Sequence, residues 1–157
     1  MKISVFELRL KVYTLVDINL EEVLSTEAEY IDSAFALDDE WLRFHENNEY
    51  KYYTFSGLYP LAKDGIYKKD NVYTITIRTV DSRVEQYMIK TLANHHTDKM
   101  KGLTITSRII PKKFINQLYT LTPVIQKYDG GYWKKVVSLD EYEKRLFANA
   151  VKKYNAF

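Results

Sequence analysis

The chain of 157 residues contains no cysteine, and it is poor in glycine (five) and proline (three). The lack of cysteine excludes disulfides and thiolate metal sites, and it fits the cytoplasmic location that we expect. Long apolar runs are lacking as well, since charged residues interrupt the opening stretch MKISVFELRLKVYTL. We therefore expect neither a signal peptide nor a membrane span there. The net charge is +2, so the overall charge alone indicates no nucleic-acid partner.

Tyrosine is the abundant residue of this sequence, with 14 copies. The length predicts about one domain, and the hydrophobic fraction of 46% is ordinary for a globular protein with a real core. Tyrosine suits strands, cores and base stacking equally, so its number does not decide between these uses.

The first part of the chain shows a strand pattern followed by two helix patterns. Residues 3–13 alternate, and four of them mark the predicted core face: Phe6, Leu8, Leu10 and Val12. Asn19 and Glu22 have the spacing of a capping box and predict a helix from Asn19 onward. Asp38 and Asp39 predict the cap of a second, shorter helix.

The middle of the chain predicts two strands, a helix and another strand. The strands are expected at residues 50–59 and 71–80, joined as a hairpin by a polar connection. Asp81 or Ser82 then caps a helix. Residues 102–110 alternate as a fourth strand.

The resulting order is βαββαβ, which predicts an α+β protein with the ferredoxin-like arrangement that RNA-recognition domains also use. Residues 118–125 extend the last strand or form a further one, so we place this domain at residues 1–127. This topology carries many functions and is by itself a weak indication of any one.

Residues 128–157 differ in kind from the rest. They contain the glycine turn YDGGYW, a capping box at Ser138 and Glu141, and a helix expected from residue 139 to about 154. Because the ferredoxin-like unit is complete without it, this helix needs another surface for its apolar stripe. It folds back on its own sheet, packs on a partner, or leads into a missing second domain.

Motifs for bound metals and cofactors are not found in the sequence. No group of histidine, aspartate and glutamate has metal-ligand spacing, and neither a glycine-rich phosphate loop nor a nucleophile elbow occurs. We expect no metal and no cofactor.

Several runs of the sequence together resemble the CRISPR repeat-RNA processing endoribonucleases of the repeat-associated mysterious protein superfamily. In chain order the runs are FHENNEYKYYTFSGLYP, YTITIRTVD, MKGLT, LYTLTPVI, GYWK and SLDEYEKRLFANAVKKYN. Members of that family typically have two ferredoxin-like domains, and this chain resembles the N-terminal one with its linking helix. The glycine-rich loop of the family's C-terminal domain has no counterpart here.

The resemblance implies metal-independent cleavage in which the RNA's own 2′-OH attacks the adjacent phosphate. The products carry a 2′,3′-cyclic phosphate and a 5′-OH. Some members use a Tyr-His-Lys set, and Tyr30, His45 and Lys51 lie at similar spacings. The resemblance makes His45 the general acid or base, Tyr30 its possible partner, and Lys51 the group that stabilises charge. Each has an ordinary alternative: Tyr30 at the core edge, His45 packed near its helix, and Lys51 exposed.

Residues for RNA binding are expected around the fourth strand and in the second. The candidates for phosphate contacts are Lys99, Lys101, Arg108, Lys112 and Lys113, and the candidates for base stacking are Tyr52 and Tyr53. The alternative is a solvated basic rim with tyrosines in the core.

Three functions stay open from the sequence. The first is a CRISPR RNA-processing endoribonuclease, present as its N-terminal half or as a short form. The second is a non-catalytic relative that binds repeat RNA or another CRISPR component, for example as an inhibitor that mimics the enzyme. The third is a ferredoxin-like interaction module that forms a homodimer through its last helix.

Overall fold

The computed structural model describes residues 4–47, 50–111, 113, 115–117, 119 and 124–155. The chain divides into two units, Met1–Leu118 and Tyr119–Phe157. This division precedes the boundary expected after residue 127, and each unit is described by itself. The further strand expected at residues 118–125 lies largely outside the described residues.

Six strands and three α-helices are described in the first unit. The strands are β1 (Phe6–Thr14), β2 (Ile18–Asn19), β3 (Tyr53–Phe55), β4 (Ile66–Tyr67), β5 (Val72–Thr79) and β6 (Met100–Ile109). The helices are α1 (Val23–Phe35), α2 (Asp39–Glu46) and α3 (Ser82–Thr91), and a 3₁₀ turn follows at Leu92–Asn94. Four strands form one antiparallel sheet in the order β3-β5-β1-β6. The protein is therefore a mixed α+β structure, as the sequence predicts.

The alternation of β1 places one side of the sheet in the core. Leu8, Leu10 and Val12 are fully buried, together with apolar residues of α1 and α3. Because successive side chains of a strand point to opposite faces, the intervening residues of β1 lie on the other side of the sheet. The predicted core face of β1 is confirmed.

Among the helix caps of the first unit, one prediction is wrong and two are confirmed. Asn19 does not cap α1: it lies in β2, its side chain donates to Glu22 at 3.2 Å, and α1 begins only at Val23. Asp38 caps α2 by accepting from the amides of residues 40 and 41, and Asp81 caps α3 by accepting from the amide of Arg83.

The connection between the second and third strands of the sheet is more ordered than the sequence indicates. The expected strand at 50–59 shortens to β3, and the polar connection contains β4, which pairs with β2 in a separate two-stranded sheet. Strands of two residues have no readable alternation, so β2 and β4 were not predicted.

The second unit contains α4 (Trp133–Val136) and α5 (Leu139–Asn155). The predicted capping box of α5 is confirmed. Oγ of Ser138 accepts from the amide of Glu141 at 3.2 Å, and Oε2 of Glu141 accepts from the amide of Ser138 at 3.3 Å. Trp133 stacks on Tyr142 with ring centroids 4.5 Å apart. None of the residues described in 124–155 is buried. None of the helices in the described part of the chain has the length and apolar character needed to cross a membrane.

Candidate functional site

The side of the sheet opposite the core carries a regular array of polar side chains, which we call the open face. Directly paired residues on neighbouring strands project to the same side of a sheet, so the strand register defines the array. Its four rows across the sheet are Thr54, Arg78, Glu7 and Arg108; Thr76, Arg9 and Thr106; Thr74, Lys11 and Thr104; and Val72, Tyr13 and Lys101.

The open face is strongly basic although the chain is nearly neutral. Its rows contain five cationic side chains and one carboxylate, a net charge of +4, against +2 for the whole chain. Arg9, Lys11 and Lys101 are exposed. Threonine hydroxyls lie between these charges, so the surface offers mainly hydrogen-bond donors and hydroxyl groups. Such a surface suits a ligand rich in acceptor oxygens.

Glu7 is the one carboxylate of these rows and is almost fully enclosed by arginines. Its side chain is 4% exposed, and it accepts hydrogen bonds from Arg78 at 2.9 and 3.1 Å and from Arg108 at 2.6 and 3.0 Å. The Nε of Arg9 lies 3.4 Å from the same carboxylate. Burial by itself raises the pKa of Glu7, but the hydrogen bonds and charges of Arg78 and Arg108 outweigh it and hold the pKa below its ordinary value.

The residues expected to bind phosphate are divided between this face and other places. Lys101 and Arg108 lie on the open face. Lys99 lies before β6 and donates to Glu29 at 2.8 Å. Lys113 lies after β6, and Lys112 lies outside the described residues.

The two tyrosines expected to stack on bases do not lie in the rows of the open face. Tyr53 pairs with Thr79 on the core side, and its ring packs 5.7 Å from that of Phe35. Burial, with the charge of Asp32, raises the pKa of Tyr53 to about 12. Tyr52 precedes β3 with a φ of 56°, which takes it out of the strand's alternation. The aromatic residue of the four rows is Tyr13, whose hydroxyl donates to Asp70 at 2.9 Å.

His45 lies at the end of α2, beside an aspartate that the sequence did not single out. The imidazole is 32% exposed and stacks on Phe35, with ring centroids 6.3 Å apart. Its Nδ1 is buried without a hydrogen bond and lies 3.4 Å from Oδ1 of Asp32. Burial raises the pKa of Asp32, although the charges of His45 and Lys51 act in the opposite direction.

Lys51 contacts the backbone carbonyl of His45 and not its imidazole ring. Its ammonium donates to the carbonyls of Phe44, at 2.8 Å, and of His45 and Asn47. An ammonium has three N–H donors, so these three carbonyls occupy it and fix a positive charge at the C-terminal end of α2. A phosphate would have to displace one of these bonds to reach Lys51.

Tyr30 lies away from His45 and is fully buried. Its hydroxyl donates to the carbonyls of Leu92 and His95 at 2.6 and 3.1 Å, and burial raises its pKa. Its imidazole neighbour is His95, at 5.0 Å between ring centroids. The structure thus brings His45, Lys51 and Asp32 together and uses Tyr30 inside the core.

Helix geometry explains why Asp32, and not Tyr30, lies beside His45. Residues two apart on an α-helix project to nearly opposite faces, and Tyr30 faces the sheet. This relationship was readable from the sequence once the core face of α1 was known, but nothing marked Asp32 as functional.

A second histidine, His95, contributes to a cleft of about 530 Å³. The cleft is lined by Leu37, Asp38, Tyr87, Lys90, Thr91, Asn94, His95 and His96. The Nε2 of His95 lies 2.8 Å from Oγ of Ser33, whose own proton goes to the carbonyl of Tyr30 at 2.9 Å. While Ser33 donates to that carbonyl, Nε2 of His95 can only donate to Oγ, which is the wrong direction for activating a serine nucleophile. Burial and the charge of His96 lower the pKa of His95.

Among the residues that the structure describes, no group of three or more histidine, aspartate or glutamate side chains is placed to hold a metal ion. No protein-family model, curated protein or solved structure matches the chain. The resemblance to CRISPR repeat-RNA endoribonucleases therefore stays a prediction from the sequence.

Proposed function

We propose that this protein binds RNA on the open face of its sheet. The observation that carries the proposal is the net charge of +4 in four paired rows of that face. Cationic side chains neutralise phosphates and release counterions, which is the main source of affinity that does not depend on base sequence. From the family resemblance, we propose a CRISPR repeat transcript as the RNA that is bound. Further proposed partners are other CRISPR-associated proteins or a C-terminal half.

The proposal includes a ferredoxin-like, RNA-recognition-like fold for the first unit. It is supported by the order of the strands in the large sheet. If these four strands are counted along the chain, their order across the sheet is second, third, first, fourth. The helices α1 and α3 are the two connections expected of βαββαβ, and their apolar residues share the buried core. RNA-recognition domains use the sheet side that their helices leave uncovered.

RNA binding is tested by fluorescence anisotropy of a labelled repeat RNA from the same genome at increasing salt. If about four phosphates are neutralised, log K falls with log salt concentration with a slope of about −3. Replacing Arg9, Lys11 and Lys101 together by glutamine then reduces both affinity and slope. The same change at Arg43, Lys63 and Lys90, which are outside the rows, leaves both near the wild-type values. Equal losses in the two triple variants would contradict binding on the open face.

A metal-independent cleavage activity at His45 is the second candidate. It is supported by Asp32, which lies beside Nδ1 of His45 and leaves Nε2 for proton transfer to or from RNA. Two observations count against this activity: the ammonium of Lys51 is occupied by three carbonyls, and the hydroxyl of Tyr30 is buried. Without cleavage, the protein would be the non-catalytic RNA-binding relative.

Cleavage is tested on the labelled repeat RNA in EDTA, with wild type beside His45→Ala and with a 2′-deoxy nucleotide at the cut site. A nuclease of the expected kind cuts in EDTA and yields a 2′,3′-cyclic phosphate. It loses the cut in both controls. If the protein binds the repeat RNA but does not cut it, the result supports the non-catalytic RNA-binding function.

A homodimer through α5 is a third candidate, favoured by the exposure of its outer apolar residues. Phe147, Val151 and Tyr154 share one stripe at helical spacing and are 73%, 41% and 68% exposed. Sedimentation equilibrium of wild type and Phe147→Lys tests it. A mass that stays monomeric at high concentration would exclude this candidate.

A further inference from the structure

The carboxylate of Glu7 binds two arginines at once, which is more than a simple surface ion pair. Glu7 lies on the central strand β1, and its directly paired residues on the two flanking strands are Arg78 and Arg108. Each guanidinium bonds through Nε and Nη2, and the two take different carboxylate oxygens. One carboxylate thus holds two planar cations, whose backbones are about 10 Å apart across the three strands.

Both arginines keep donors for another ligand. A guanidinium has five N–H donors, and the bonds to Glu7 use two, which leaves three on each arginine. The side chains of Arg78 and Arg108 are 40% and 63% exposed, so these donors are accessible. The side chain of Glu7 is 4% exposed, so it presents almost no negative surface to a ligand. The row therefore offers N–H donors in fixed planes.

We propose that Arg78, Glu7 and Arg108 form a preorganised phosphate subsite, with Glu7 as the residue that positions the two guanidiniums. Its ligand is the phosphodiester backbone of the RNA, so the inference rests on the proposed RNA-binding function. Non-bridging phosphate oxygens are acceptors that match a guanidinium edge in a bidentate manner. Because Glu7 already holds the arginine rotamers, less side-chain entropy is lost when a phosphate binds.

Substitution of Glu7 distinguishes positioning from simple charge. Glu7→Gln adds one positive charge to the open face, so electrostatics alone predicts tighter RNA binding and a steeper salt dependence. Positioning predicts the opposite result, about fivefold weaker binding, because the glutamine amide cannot accept two guanidinium forks. Glu21→Gln makes the same charge change at an exposed residue just before α1 and is the matched control. It is expected to leave the affinity at or slightly above that of wild type.

Substitution of the arginines tests the fork geometry at constant charge. Arg78→Lys and Arg108→Lys keep the charge but lose the planar pair of donors. Each is expected to weaken RNA binding about threefold while the salt slope stays unchanged. Arg43→Lys, on α2, is the control and is expected to bind as wild type does. If Glu7→Gln fails to fold, as judged by circular dichroism, the arginine variants decide the question.

The subsite is also measured without RNA. Inorganic phosphate is titrated into ¹⁵N-labelled protein while the Nε–H signals of the arginines are followed by NMR. The subsite predicts saturable shifts for Arg78 and Arg108 that Glu7→Gln abolishes and Glu21→Gln retains.

The possible results separate the subsite from the function. RNA binding that Glu7→Gln tightens, or that both Arg78→Lys and Arg108→Lys leave unaltered, overturns the subsite and leaves the function standing. Saturable phosphate shifts in a protein that binds no RNA support the subsite and overturn the function. Arginine shifts that are uniform and do not saturate with phosphate would mean that Arg78, Glu7 and Arg108 form only a structural ion pair.

Discussion

The Nδ1 atom of His45 lies 3.4 Å from Oδ1 of Asp32, across the join between the end of α2 and the exposed side of α1. This carboxylate takes the place beside the imidazole that the sequence suggested for Tyr30. A carboxylate beside Nδ1 directs the opposite ring nitrogen, Nε2, away from α1. The pair is the geometric basis of the proposed cleavage activity.

Asp32→Asn is expected to lower the rate of RNA cleavage at least about tenfold without changing the affinity for RNA. The amide has nearly the same shape, but it cannot offset a positive charge on His45. Single-turnover cleavage in EDTA measures the rate, and anisotropy measures the affinity. Asp39→Asn, an exposed change in the first turn of α2, is the control. Equal rates for wild type and Asp32→Asn would remove Asp32 from the mechanism.

Tyr30→Phe is expected to reduce the free energy of unfolding by about 1–3 kcal/mol. The buried hydroxyl donates to the carbonyls of Leu92 and His95, and phenylalanine leaves both without this donor. Urea unfolding measures the change, and Tyr59→Phe, at a residue that is 67% exposed, is the control with little effect. A stable Tyr30→Phe variant with lost cleavage would contradict the structural role and restore the catalytic one.

Gly102→Ala is expected to destabilise the first unit by about 3 kcal/mol. A Cβ at this position would lie 1.9 Å from the carbonyl oxygen of Leu92 and 2.5 Å from the hydroxyl oxygen of Tyr30. The comparison is Gly57→Ala, whose Cβ would meet Val23 at 3.4 Å, an ordinary contact. Thermal unfolding of both variants gives the difference, and equal melting temperatures would mean that β6 approaches the 3₁₀ turn less closely than described.

Glu27 makes the stability of the protein depend on pH. Its carboxyl is buried without a hydrogen-bond partner, and burial raises its pKa to about 9. The folded state therefore keeps a proton that the unfolded state releases above its ordinary pKa of 4.5. The contribution of Glu27 to stability is therefore greatest below pH 4.5. It decreases as the pH rises from 4.5 to about 9 and is constant above that.

The comparison of wild type with Glu27→Gln isolates this contribution. The difference between their free energies of unfolding should change by up to about 1.4 kcal/mol per pH unit between pH 5 and 9. Urea unfolding at several pH values measures it, with the exposed change Glu29→Gln as control. A difference that is constant over this range would mean that Glu27 is ionised in the folded protein.

The sequence predicted those elements whose pattern is long and whose burial is one-sided. The alternation of Leu8, Leu10 and Val12 identified β1 and its core face, and the caps at Asp38 and Ser138 fixed the starts of α2 and α5. The capping box at Asn19 failed because β2 pairs with β4 across the sequence, and this tertiary pairing outweighs a local preference.

The candidate site was less predictable because it depends on strand register. Glu7 lies 71 residues from Arg78 and 101 from Arg108, and only the pairing of β5 and β6 with β1 brings the three side chains into one row. The basic segment around β6 was visible in the sequence at Lys101 and Arg108. Its combination with Arg9 and Lys11 into one surface was not.

The most direct measurement of the central claim is the mapping of bound RNA by amide chemical shifts. ¹⁵N-labelled protein is titrated with the repeat RNA, and the residues with shifted signals are identified. Binding on the open face predicts shifts concentrated in β1, β5 and β6, at Arg9, Lys11 and Lys101 in particular, and lost in the triple glutamine variant. Shifts confined to α5, or to the cleft beside His95, would contradict the claim.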